Sequence, residues 1–203
     1  MSIAQKLERV AQNQQKVFDA GKEAQKSDFW KQYFAGLNRY GNYYWAFAGS
    51  GWNDDIYQPT QTIRGHNMNY LFYYSDLTDT KVDVDLTLSP TTNKSALFQY
   101  SKLKTIRKLI VCESNTLPAF TGCTNLENIT FDGVIAKSVN MSACSKLTNA
   151  SVQSVIDHLK DLTGEATQVF TVHQTVRDAM TAEQVHEVEN VKNWTLAPSA
   201  SAG

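Results

Sequence analysis

The chain has 203 residues, 42% of them apolar, which is enough for a real core in one or two domains and argues against global disorder. Its 19 Lys and Arg balance 20 Asp and Glu, and no basic cluster could follow a phosphate backbone, so nucleic acid is not an expected partner. No stretch approaches the roughly 20 apolar residues of a membrane span, and the N-terminus lacks the apolar run of a signal peptide, so neither a membrane nor an export signal is expected.

The first unit, residues 1–28, reads as one long helix over about Ser2–Lys26. It has no Pro, is rich in Gln, Lys, Glu and Ala, and spaces Ile3, Leu7, Val10, Val17 and Ala24 as a heptad seam, with Gln14 and Gly21 at two further seam positions. Such a helix would span roughly 36 Å. A stripe this narrow cannot bury itself, and it needs cover from a partner helix, from the body of its own chain or from another subunit. Gln14 would fix register and oligomer number at some cost in stability.

Ser27 and Asp28 are N-cap types, and residues 29–68 then form a second unit. Phe29, Trp30, Tyr33, Phe34, Tyr40, Tyr43, Tyr44, Trp45, Phe47 and Trp52 crowd ten aromatics into 24 residues, and Gly36, Gly41, Gly49 and Gly51 break the segment into turns. We read it as a cap that seals the open apolar end of a repeat stack. A platform for a sugar or a receptor is the competing reading.

The third unit, residues 69–150, repeats itself four times. Each copy reads apolar, two residues, Tyr or Cys, two residues, Leu, two residues, then Ile, Thr or Ala. The framework is Leu71, Tyr74 and Leu77; Leu97, Tyr100, Leu103 and Ile106; Phe120, Cys123, Leu126 and Ile129; and Met141, Cys144 and Leu147. The first residues are 26, 23 and 21 positions apart, inside the range of leucine-rich repeats. In each copy the leading apolar residue and the Tyr or Cys are expected to point inward, Leu to turn the corner, and a strand to follow, as at Lys108–Val111 and Ile129–Phe131. Cys123 and Cys144 hold the same repeat position and are expected as packed free thiols.

The fourth unit, residues 151–197, reads as an α/β cap: a helix from an N-cap Ser151 to a C-cap Gly164, a strand Val169–His173, a capping box Thr181–Gln184 opening a helix to about Val191, and a strand Asn193–Ala197. Residues 198–203 form a small, polar tail. The expected fold class is therefore α/β, a short leucine-rich-repeat-like solenoid with a long N-terminal helix and an α/β C-terminal cap.

The third and fourth copies, with Ser151 to Leu162 and Lys192–Leu196, resemble the leucine-rich-repeat proteins of gut Firmicutes and of their phages and prophages. Ile3–Leu7, Asn13–Lys22 and Phe29–Trp30 are similar to the start of those phage proteins. The resemblance implies a virion component, in a tail, baseplate or fibre, assembled in the host cytoplasm and facing a host receptor. It also implies other virion proteins as partners and a homo-oligomer, with a trimer favoured. A bacterial leucine-rich-repeat adhesin or interaction module is the alternative. The first copy departs from the family pattern, with Thr80 for Ile and the acidic run Asp76, Asp79, Asp83 and Asp85.

No nucleophile-elbow, zinc-protease, phosphate-loop or dinucleotide motif occurs, and no enzyme, cofactor or metal site is expected. His66, His158, His173 and His186 are scattered. Asp54 and Asp55 could serve a tail-borne glycan hydrolase, but adjacent carboxylates rarely face one substrate from opposite sides, and a turn is the better reading. Asp83 and Asp85 alternate on a strand and with Asp79 could hold calcium, although the EF-hand spacing is absent.

Overall fold

A computed structural model of the chain describes residues 9–10, 12–17, 32–33, 35–37, 41–49, 52–57, 59–89 and 96–198. The expectations for Ile3, Leu7, Gly21, Ala24, Ser27, Asp28, Phe29, Trp30, Phe34, Tyr40, Gly51 and the tail beyond Pro198 lie outside these residues.

The fold is mixed α/β, with two parallel sheets and few helices, and among the described residues no sheet closes into a barrel. The first sheet orders β1 (Ile63–Arg64), β2 (Val84–Asp85), β3 (Thr105–Val111) and β4 (Asn128–Gly133) in sequence order. The second orders β5 (Val139–Met141), β6 (Val169–Val172) and β7 (Thr195–Pro198). Register carries the core: Ile63 pairs with Val84, Val84 with Leu109 and Leu109 with Phe131, and all four are buried. Val139, Phe170 and Leu196 do the same in the second sheet. Alternation then turns Arg107 and Thr130 outward.

A second set of contacts runs beside the first sheet. The N–H groups of Trp45, Phe47 and Gly49 donate to the carbonyls of Asn69, Leu71 and Tyr73; those of Phe72 and Tyr74 donate to Leu97 and Gln99; that of Tyr100 donates to Thr121. Each donor thus bonds to the carbonyl just before its counterpart in the next tier. The counterparts are Phe47, Phe72, Phe98 and Phe120 in one buried column, and Gly49, Tyr74, Tyr100 and Gly122 in another. The phenyl rings of Phe72, Phe98 and Phe120 stack at 5.8 Å and 5.6 Å, with interplanar angles of 9° and 14°. Such rings contribute about 0.5–1.5 kcal/mol per pair beyond their buried area.

This register corrects the expected one. In successive tiers the N–H of Ser75, Ser101, Cys123 and Cys144 closes a turn onto Phe72, Phe98, Phe120 and Met141. The inward counterparts of the two cysteines are therefore Ser75 and Ser101, both buried, whereas Tyr74 and Tyr100 are 51% and 42% exposed. The physical reason is backbone hand: Tyr74 and Tyr100 have φ of 53° and 57°, which carries their side chains out of the core. Phe120 and Met141 are followed by one more residue before Leu126 and Leu147 than Phe72 and Phe98 are before Leu77 and Leu103, and this hid the equivalence. Leu71, Leu77, Leu97, Leu103, Ile106, Phe120, Leu126, Ile129, Met141 and Leu147 are all buried.

Thr80 takes the buried place that Ile106 and Ile129 hold in the next tiers. Its hydroxyl accepts from the N–H of Arg107 at 3.1 Å and donates to the carbonyl of Val82 at 2.9 Å, so the polar replacement is satisfied.

At the C-terminal end, α1 runs over Asn149–His158, and its N-cap is Thr148, which accepts from Ser151 N–H; Leu159 ends it. Ser151 instead bonds the carbonyl of Glu127 and the N–H of Ile129, tying α1 to β4, so it was unavailable as the expected cap. A short α2 (Gln174–Ala179), capped by His173, was not anticipated, because six residues give too few turns for a periodic signal. Thr181 and Gln184 form the capping box of α3 (Ala182–His186), which continues as a π turn over Glu187–Val191.

Candidate functional site

The aromatic-rich segment divides between core and surface. Tyr43, Phe47, Trp52 and Tyr57 are buried, with Phe47 edge-on to Trp52 and Tyr57. Tyr57 donates its hydroxyl to the carbonyl of Thr80 at 2.8 Å, and burial raises its pKa well above the ordinary phenol value. Tyr44 is exposed and Trp45 half-buried, and both join rings from later tiers.

Six rings make one surface. Trp45 stacks on Tyr70 at 4.8 Å, Tyr74 stacks on Tyr100 at 4.7 Å, and Tyr73 stands between the two pairs, edge to face with Tyr70 and Tyr74 at 5.2 Å and 4.6 Å. Tyr44 packs its edge on Tyr70 at 6.0 Å. Partial burial and the neighbouring phenols Tyr74, Tyr100 and Tyr70 raise the pKa of Tyr73.

The backbone beneath this surface is strained at four of the six rings. Trp45, Tyr70, Tyr74 and Tyr100 have φ between 53° and 60°, where an L-residue costs about 1–2 kcal/mol. The counterparts of Tyr74 and Tyr100 in the outer tiers are Gly49 and Gly122, with φ of 88° and 71°, which meet the same geometry without that cost. Two aromatic residues thus stand where the fold would accept glycine, and the half-exposed rings are not needed to fill the core. Strain kept at an exposed site is a pointer to function. The sequence signal for the surface was the pattern aromatic, one residue, Phe, one residue, Gly or Tyr, shared by Trp45–Gly49 and Tyr70–Tyr74.

The N-terminal seam is only partly within view. Residues 9–10 and 12–17 are helical, and Val17 packs against the core. Val10, Gln14 and Val17 line a groove of about 190 Å³ with Tyr33, Leu37 and Ala46. At this end of the seam the body of the chain supplies cover.

Of the carboxylates considered for chemistry, those of Asp54, Asp79 and Asp85 are held. Asp54 accepts from the N–H and hydroxyl of Thr78 at 3.1 Å and 2.5 Å, fastening its turn to the next tier. Asp85 is buried and bound by Arg64 Nε at 2.6 Å and by the N–H of Thr87 at 2.8 Å, and Asp79 accepts from the N–H of Lys81 at 2.7 Å. The carboxylates of the acidic run therefore do not converge: among the described residues no group of three or more His, Cys, Asp or Glu side chains is placed to hold a metal ion. An acidic cleft of about 290 Å³ lies between α1 and α3, lined by Gln153, Asp157, Glu183, Gln184 and Glu187. Gln184 is committed there to its capping box and to Gln153 at 3.1 Å.

The cysteines are free thiols. Burial pushes the Cys123 thiol up to about 11 and raises Cys144 as well, with Cys123 adding to the rise. Cys123 donates to the carbonyl of Phe98 at 2.9 Å.

The aromatic surface is therefore the strongest candidate site, and comparison with known proteins adds no second line to it. No protein-family model matches the chain, and neither a curated protein nor a solved structure is significantly similar to it.

Proposed function

We propose that the chain is a short leucine-rich-repeat-like solenoid without catalytic activity that serves as a structural and recognition component of a phage virion, in a tail, baseplate or fibre, and meets the host surface through its aromatic face. The observation that carries the recognition reading is the pair Tyr74 and Tyr100, half-exposed rings on backbone positions that the flanking tiers give to glycine. Tyr and Trp concentrate at protein contact surfaces because each offers large rigid area with a polar edge. The solenoid reading is supported by parallel pairing of consecutive strands and by the recurring columns of Phe and Leu. The virion reading is supported by the sequence resemblance at both ends and in the repeats.

Attachment to the particle, and assembly as a trimer, are proposed for the N-terminal helix. The packing of Val17 on its own core bears against a seam shared along its whole length. A hydrolase is disfavoured by Asp54, whose carboxylate is held by Thr78.

An antibody raised against the chain tests the proposal in electron micrographs of purified virions. Label at the tail, baseplate or fibres is the expected result. Label confined to bacterial cells that release no particles would instead mark an adhesin.

A further inference from the structure

The aromatic face ends in an open ring. The centroids of Tyr73 and Tyr74 are 4.6 Å apart, those of Tyr74 and Tyr100 are 4.7 Å apart, and those of Tyr73 and Tyr100 are 6.1 Å apart. These lengths make an angle at Tyr74 close to a right angle, so Tyr73 stands beside the stack and not on its end. Tyr100 is covered twice, by Tyr74 on one face and by Gly122 on the other, where an ideal Cβ would fall onto the Tyr100 ring. Among the described residues Tyr74 has a ring stacked on one face alone. On its other side lies the tier of Gly49, where among the described residues no atom comes within 4 Å of the place a Cβ would take. At 51%, Tyr74 is the most exposed of the described large hydrophobic residues.

We infer that this open face of Tyr74 is a subsite for one sugar ring of an uncharged glycan, with the surrounding phenols as its hydrogen-bonding rim. The inference rests on the recognition reading above and names its ligand. A pyranose presents a patch of C–H groups on a face and hydroxyls around its edge, and an open aromatic face among neighbouring phenols fits both. A protein partner would use the same rings, since Tyr and Trp also concentrate at protein contact surfaces, and the protease and periodate arms of the test separate it from a glycan. The exposed large hydrophobics here are Tyr44, Tyr74 and Tyr100, while Leu88 lies in the turn after β2, Val134 and Val169 at strand ends and Val191 in the C-terminal segment. Charge separates it from an acidic polymer: Asp76 and Lys102, which flank the two stacked tyrosines in sequence, are bound to each other at 2.7 Å. Rings held by their neighbours also lose little freedom on binding.

The test uses the intact chain and cell envelopes from a panel of Firmicutes strains, either untreated, oxidised with periodate to cleave vicinal diols, or digested with proteinase K. Gel electrophoresis through a neutral glucan, mannan or galactan, with an acidic polysaccharide as comparator, reads the same interaction with defined probes. Binding should survive the protease and be lost after periodate, and a neutral polysaccharide should retard the chain. Tyr74→Ala should weaken the interaction about tenfold, the size of one aromatic contact, while Tyr74→Phe, which keeps the ring face, should stay within about threefold. Tyr74→Leu keeps bulk without a ring and should match the Ala variant, which separates loss of the face from loss of folding. Binding that is lost to protease and kept after periodate means a protein partner, and it overturns this inference while leaving the virion reading standing. Retardation by the acidic polysaccharide alone, no binding to any probe, or wild-type binding by Tyr74→Leu also overturns it.

Discussion

Tyr74 and Tyr100 stack at 4.7 Å with their rings 19° from parallel, and both have left-handed backbones, with φ of 53° and 57°. Two terms of similar size oppose each other there. The backbone costs about 1–2 kcal/mol relative to glycine, and the stack returns about 0.5–1.5 kcal/mol. Tyr74→Gly is therefore expected to change the stability of the chain by less than about 1 kcal/mol in urea unfolding, because relief of strain offsets the lost ring. A loss above about 3 kcal/mol, the size of an emptied aromatic core site, would make the ring structural.

The buried columns respond differently. Leu126, 1% exposed, should lose roughly 2–5 kcal/mol on replacement by Ala, and Phe98, stacked between Phe72 and Phe120, about 3–5 kcal/mol. Equilibrium unfolding measures both. A change near 0.5 kcal/mol in either, typical of a surface site, would contradict the tier register.

Gly122 and Gly133 both have left-handed φ, 71° and 91°, and neither has room for a Cβ. The obstacle at Gly122 is the ring of Tyr100, which can swing away; at Gly133 it is the carbonyl of Val111, inside the sheet. Gly122→Ala should cost about 1–2 kcal/mol, the backbone term, and alter the near-ultraviolet circular dichroism as Tyr100 is displaced. Gly133→Ala should lower the melting temperature further, and the reverse order would place the crowding elsewhere.

The thiols carry a sign as well as a location. Burial pushes the Cys123 thiol up to about 11, above the ordinary thiol value of about 8.5, so its contribution to stability is fully present below about pH 8.5 and is lost as pH rises from there through about 11. Replacing Cys123 with Ala should flatten the fall of stability across that window. In the native protein Cys112, which is half-buried, should react with iodoacetamide while Cys123 and Cys144 wait for unfolding. Reducing agent should leave the melting temperature unchanged, and a drop of many degrees would reveal a disulfide.

How much of this was legible from the residues depended on whether a side chain's direction follows from its type. Leu103, Leu126, Leu147 and the described Phe residues are apolar and end up inside. The α/β class and the Thr181–Gln184 cap followed from periodicity and local chemistry. Tyr74 and Tyr100 did not, because their direction is set by a left-handed backbone that only Gly49 and Gly122 announce. Ser75 and Ser101 were missed as core positions because small polar residues look like loop residues until their turns are seen. The tier at Trp45–Gly49 was merged with its aromatic neighbours for the same reason: composition marked the whole segment, and only the hydrogen bonds to Asn69, Leu71 and Tyr73 separate it.

Deleting residues 2–26 tests the attachment and trimer roles proposed for the N-terminal segment. Val17 packs on the core, so the truncated chain should melt at a lower temperature yet remain folded, since contacts in stacked repeats are between nearest neighbours. Light scattering on the intact chain should give a trimer and on the truncated chain a monomer. An intact chain that is already monomeric would assign the helix to the core alone.

The central claim is that the chain meets its host through the face that carries Tyr74 and Tyr100. Binding of the purified chain to the bacterial cells that the virion adsorbs to, compared with binding of a Tyr74→Ala, Tyr100→Ala double variant of unchanged circular dichroism, tests it most directly. The account predicts saturable binding by the native chain and a loss of about tenfold or more in the variant, the equivalent of roughly 1.4 kcal/mol or more. Equal binding by the two proteins would contradict it.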